Sequence, residues 1–271
     1  TVGKRRLPQP IFCPKPQGVA GMNKVRTNKV CIAKAVYIIA SVIICCTVMA
    51  YIDGFLRPGY LIKSVIKLCL FSGAMLIYTT ALEHKSLSDI IRSIKKPSLS
   101  KKGITISLCL GIGVYAVIVG AYFLLKNFFD FSGLVKSLTS ETGVNKDNFL
   151  FVSLYISFVN SLLEESFFRG FAFSKLSGLS KLSEPSKPAG NIRRMLPYAF
   201  SALAFSLYHV AMMLWWFDFA VFLLALLGLA AGGIIFNVLE SKTRSIFPGW
   251  MVHMFANFAI NTVGFILFSA L

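Results

Sequence analysis

The sequence predicts an all-α, polytopic membrane protein: a transmembrane helical bundle of about seven helices, between six and eight, with an active site inside it. Three observations carry this. Of the 271 residues 56% are hydrophobic and only 14% charged, with a mean hydropathy of +0.70, too little polar surface for a soluble domain of this length. The apolar residues fall into runs near the roughly 20 residues that a bilayer core demands. Within those runs stand ionisable side chains, a placement that costs several kcal/mol and therefore points to function.

The elements follow in order. Residues 1–34 form a basic tail, of which 1–21 carry four prolines and no apolar period; Met22 reads as a native start and 1–21 as an upstream extension. Predicted spans are 35–52, 60–82, 103–125, 149–173, 195–217, 219–239 and 249–271. The first is short, and Lys63 and Lys67 enter the second, so these two have the weakest boundaries. Residues 35–148 thus hold the N-terminal membrane helices and a connector, and 149–271 the catalytic membrane domain. In the connector, Glu83–Lys102, apolar Leu87, Ile90, Ile91 and Ile94 alternate with basic residues at helical spacing, which predicts an amphipathic helix on the membrane surface. Ser174–Arg194, with Pro185, Pro188 and Gly190, reads as a flexible loop.

The net charge of +17 sits mainly in alternate connections, as positive-inside topology requires, rather than in a nucleic-acid patch. It places the N-terminus in the cytoplasm and the C-terminus outside, in the cell membrane, with the bilayer as partner and no nucleic acid. The six cysteines form no Cys-x-x-Cys pair and read as small apolar side chains.

The polar constellation lies in the last four spans. Glu165 and Arg169, four residues apart with the acid first, share a helix face as an ion pair. Glu164 lies about 100° around the helix with Phe168, not a cation, four residues on, so it is expected to lack a dedicated counter-ion and to serve as general base or acid. Phe205 and His209 share one face, as do His253 and Asn257. Two hydrolytic schemes fit. In one, Glu164 with His209 activates water while His253 and Asn257 hold the oxyanion. In the other, His209, His253 and Glu164 bind zinc with an open position for water, although no His-Glu-x-x-His signature occurs. Ser157, Ser161, Ser166 and Ser206 lack a Gly-x-Ser-x-Gly elbow and read as packing residues.

Glu164-Glu165-Ser166-Phe167-Phe168-Arg169, Phe205-Ser206-Leu207-Tyr208-His209 and His253-Met254-Phe255-Ala256-Asn257 together resemble the CPBP family of intramembrane proteases. That family includes type II CAAX prenyl endopeptidases and bacterial bacteriocin-processing or self-immunity proteins. The resemblance runs from Phe149 to the C-terminus. It implies a membrane endopeptidase with Glu164 as water-activating acid, His209 as its partner, and His253 with Asn257 at the oxyanion or ligand site. Glu165, Arg169 and Phe205 would support them. It leaves the cofactor open between none and zinc. The expected substrate is a membrane-associated peptide or protein, with peptide processing or bacteriocin immunity favoured over CAAX cleavage. The competing readings are a noncatalytic regulator or self-immunity protein of the same fold, and an ion-coupled transporter, which would have discontinuous helix pairs.

Overall fold

The structure is a computed structural model that describes residues 22–86, 101–129, 147–182, 191–213 and 219–269. Among the described residues the chain forms seven helices and no strand. Helix α1 (Met22–Tyr51) continues into a π-helical turn, Ile52–Leu56, and α2 (Tyr60–Ile77) ends the same way at Tyr78–Leu82. Helix α3 is Lys101–Leu125, α5 Asn191–Met213, α6 Phe219–Thr243 and α7 Phe247–Ser269. Between α3 and α5 lies α4, a composite: α-helical at Phe149–Leu154, Ser161–Glu164 and Ser174–Leu182, π-helical at Tyr155–Asn160 and Glu165–Phe173.

Among the described residues five helical stretches are long and apolar enough to cross a bilayer: Asn28–Leu56, Tyr60–Leu82, Lys101–Leu125, Phe219–Thr243 and Phe247–Ser269. Helices α4 and α5, also expected as spans, are helical but not among those five. In α4 the apolar run is diluted by Asn160, Glu164, Glu165 and Arg169, the residues that make it interesting.

Two expectations need correction. The first helix begins well before residue 35, because Lys24, Arg26, Lys29 and Lys34 end an apolar run without ending a helix; lysine and arginine are good helix formers. The segment expected to be a loop from Ser174 to Arg194 is helical at Ser174–Leu182 and again from Asn191. Leu176 and Leu179 bury one stripe of the former against the core, and the prolines at 185 and 188 fall beyond it. The centre of the predicted amphipathic connector, 87–100, and the 1–21 extension lie outside the described residues.

The core is aromatic and surrounds α4. Phe71 of α2 stacks on Phe167 at 4.0 Å and meets Phe168 and Tyr208 edge-on, while Phe168 packs on Phe205. Outward-facing Ile43, Leu61, Val117, Leu124, Leu150 and Leu227 are exposed, the apolar surface that lipid tails cover. Small residues let helices approach closely. A Cβ on Gly111 of α3 would lie 2.4 Å from the Phe255 ring of α7, and one on Gly233 of α6 only 3.0 Å from Ala202 Cα of α5.

Backbone carbonyls of α4, three in its π-helical turns and one in the α-helical turn before the first, accept hydrogen bonds from other helices. Trp250 Nε1 donates to Phe158 O, Asn257 Nδ2 to Ile156 O, Asn261 Nδ2 to Ser153 O, and Ser201 Oγ to Phe168 O. Helix α4 is therefore hydrogen-bonded to α5 and α7 through its own backbone, which fixes the rotation that aims its carboxylates.

Candidate active site

Glu164, at the junction between an α-helical and a π-helical turn of α4, is 1% exposed. Its two oxygens face different surroundings. Oε1 accepts hydrogen bonds from Lys67 Nζ, with which it makes an ion pair, and from Asn160 Nδ2 at 3.0 Å. Oε2 has no hydrogen-bond partner among the described residues. It lies 3.5 Å from His209 Nε2 and 3.6 Å from His253 Nε2. The expected absence of a counter-ion is thus overturned. The cation comes from α2, not from α4's own next turn.

Both imidazoles are oriented through their other nitrogen. His209 Nδ1 lies 2.8 Å from Phe205 O, and since a carbonyl only accepts, Nδ1 carries the proton and Nε2 presents its lone pair when the ring is neutral. The Phe205 ring packs on His209 with centroids 4.4 Å apart. His253 Nδ1 donates to Glu165 Oε1 at 3.0 Å, and its ring stacks on Phe236 at 5.3 Å.

Glu165 and Arg169 pair as the spacing predicts, with NH1 3.0 Å from Oε1. The guanidinium, fully buried, has no hydrogen-bond partner among the described residues beyond its ion pair; it lies over the Phe205 ring at 4.1 Å and the Phe236 ring at 4.8 Å, so aromatic faces supply part of what water would have. Glu165 therefore serves two cations or dipoles at once, Arg169 and His253. Gly249 keeps room for it: a Cβ there would stand 3.0 Å from Glu165 Oε2.

Structure thus brings Glu164, His209 and His253 to one point, with Glu165, Arg169 and Phe205 behind them. Asn257 lies one turn beyond His253, half-buried, with one N–H given to Ile156 O and the second without a partner among the described residues. Lys67 and Asn160 were missed from sequence as site residues. Each had a signal: a lysine deep in an apolar run, and an asparagine one turn before Glu164 on the same helix.

Zinc is a poor match for this donor set. Among the described residues no group of three or more His, Cys, Asp and Glu side chains is arranged to hold a metal ion. A dication on Glu164 would also sit beside the Lys67 ammonium already bound to the same carboxylate.

A buried carboxylate facing two imidazoles inside an all-helical membrane bundle is suited to hydrolysis away from bulk water. Residues 146–259, the segment that holds Glu164, His209, His253 and Asn257, match the family described as Rce1-like, type II CAAX prenyl endopeptidase Rce1-like. No curated protein and no solved structure matches the chain.

Proposed function

We propose that the protein is an intramembrane endopeptidase in which Glu164 activates water without a metal ion. The observation that carries this reading is the convergence of His209 Nε2 and His253 Nε2 on the one Glu164 oxygen that has no hydrogen-bond partner among the described residues. A water there has an acceptor in Oε2 and a second in His209 Nε2. As its oxygen attacks the scissile carbonyl carbon, one proton passes to Glu164 Oε2. In its imidazolium form His253, steadied through Nδ1–H by Glu165, donates Nε2–H to the oxyanion, joined by the second N–H of Asn257. When the C–N bond breaks, Glu164 returns its proton to the departing amine, and the acyl half leaves as a carboxylic acid.

The substrate is a membrane-associated peptide or protein that reaches the site between helices. The family description adds the C-terminal segment of a prenylated protein as one such class. The distribution of lysine and arginine supports a cytoplasmic N-terminus and an external C-terminus in the cell membrane.

The test uses purified protein in lipid nanodiscs with chelator present. The probes are a farnesylated peptide ending in a Cys-aliphatic-aliphatic-X sequence and the peptides extracted from host membranes. Cleavage by wild type and none by Glu164→Gln is expected. Cleavage that vanishes with chelation and returns with zinc would refute the metal-independent scheme; equal cleavage by Glu164→Gln would refute the role of Glu164.

A further inference from the structure

Lys67 stands on α2, outside the residues that match the protease family, yet its ammonium is inside the site. It is 5% exposed. Nζ binds Glu164 Oε1 and donates to Asn160 Oδ1 at 2.6 Å, and it lies over the Tyr208 ring at 4.9 Å and the Phe71 ring at 5.5 Å. The ammonium is thus surrounded by a carboxylate, an amide oxygen and two aromatic faces.

A lysine in an apolar helix is costly, and one removed from water is tolerated only when its charge is matched in place. Leucine at 67 would serve packing better, so a positioning role has to be sought in what the ammonium does to Glu164. A free carboxylate rotates about its last torsion and presents either oxygen. Here Lys67 and Asn160 both hold Oε1, one from α2 and one from the preceding turn of α4. The remaining oxygen is thereby directed at His209 of α5 and His253 of α7.

We propose that Lys67 is the positioning residue of the site: it clamps Oε1 of Glu164, with Asn160, so that Oε2 alone meets water and the two imidazoles. The inference rests on the endopeptidase reading. It also makes α2, and not just the family-matching segment, part of the functional unit. Lys67 does not touch substrate. It acts through Glu164, on whose charge His209 and His253 also bear, with Arg169 of the same helix, Tyr208 of α5, Tyr60 of α2 and Cys46 of α1 within electrostatic reach.

Two measurements on the full-length protein in nanodiscs test this. The first is kinetic, on whichever of the farnesylated peptide or host membrane peptides the wild type cleaves. Lys67→Met is expected to lower kcat at least tenfold with KM unchanged and to move the acid limb of the pH–rate profile to higher pH. Lys67→Arg, which keeps the charge, should recover part of kcat. A wild-type kcat and pH profile in Lys67→Met, with Glu164→Gln inactive, overturns the inference and leaves the endopeptidase reading standing. The second is a thermal-unfolding cycle of Lys67→Met, Glu164→Gln and the double variant, which needs no activity and detects a variant that fails to fold. The double variant is expected to melt higher than the less stable of the two single variants, because each single leaves one charge of the buried pair unmatched and the double leaves neither. Additive losses overturn the inference; absence of cleavage by wild type on every probe overturns the reading it rests on.

Discussion

Lys67 and Glu164 form a buried ion pair across helices whose members stand 97 residues apart in the chain. The pair divides the carboxylate into a held oxygen and a free one, and the free one faces both histidines. Glu165, its neighbour, has the opposite assignment: it is fixed by Arg169 and in turn fixes His253. One acid is thereby left reactive while the other builds the frame around it.

Removing Glu165 should act through folding first. Glu165→Ala strands the fully buried Arg169 guanidinium, a loss of about 3–5 kcal/mol, and membrane abundance should fall accordingly. Adding Arg169→Met should restore abundance but not cleavage, since His253 still lacks the acceptor for Nδ1–H. Quantified membrane protein and peptide turnover in the single and double variants check both halves.

Asn257 separates a catalytic from a scaffolding role. Its hydrogen bond to Ile156 O fixes α7 against the π-helical turn of α4, and loss of such a bond costs about 0.6 kcal/mol within a membrane. As an oxyanion donor it is worth about a hundredfold in kcat. Asn257→Ala is therefore expected to lower kcat by about that factor with a small change in melting temperature. Retained kcat with lower stability would reduce it to scaffold.

Helix α3 should tolerate no bulk at Gly111. A Cβ there would fall 2.4 Å from the Phe255 ring, so Gly111→Val is expected to destabilise by about 1–3 kcal/mol. Pairing it with Phe255→Ala, which opens the same space, should recover part of the loss. Thermal unfolding of the two singles and the double decides this.

At the end of α2, outside the span, Glu83 takes Lys175 at 2.7 Å and Lys85 at 2.9 Å. Burial pushes the Glu83 carboxyl up, but the hydrogen bonds from Lys175 and Lys85 more than reverse this and leave it below the ordinary carboxylate range. Burial also pushes the Lys175 ammonium down, and Glu83 restores only part of that, so the pair favours the acid's charge at the lysine's expense. A depressed folded value contributes stability above the unfolded pKa and loses it as pH falls through the folded one. The stability gap between wild type and Glu83→Gln is thus expected at neutral pH and should close below about pH 4. Melting temperatures at both pH values measure it.

The bundle was legible because seven apolar runs are a strong signal, and the ends were not, because a helix does not stop where its hydrophobicity does. The leucines of Ser174–Leu182 made a helix out of an expected loop. Glu164, His209 and His253 stand out as polar groups in apolar runs, the two histidines each one turn from a related residue, Phe205 and Asn257. Lys67 could not be joined to them, since helical spacing relates residues of one helix and the ion pair spans two. The π-helical turns were hidden too: widening a turn by one residue leaves no mark on an apolar run, yet it opens the carbonyls that Trp250, Asn257 and Ser201 use.

The most direct measurement is a mass-spectrometric map of peptide and protein termini in membranes of cells carrying wild type or Glu164→Gln at equal abundance. With Glu164 as the water-activating group, at least one new terminus present with wild type disappears in the variant, and its intact precursor accumulates. Identical termini in the two strains would contradict a proteolytic role for Glu164.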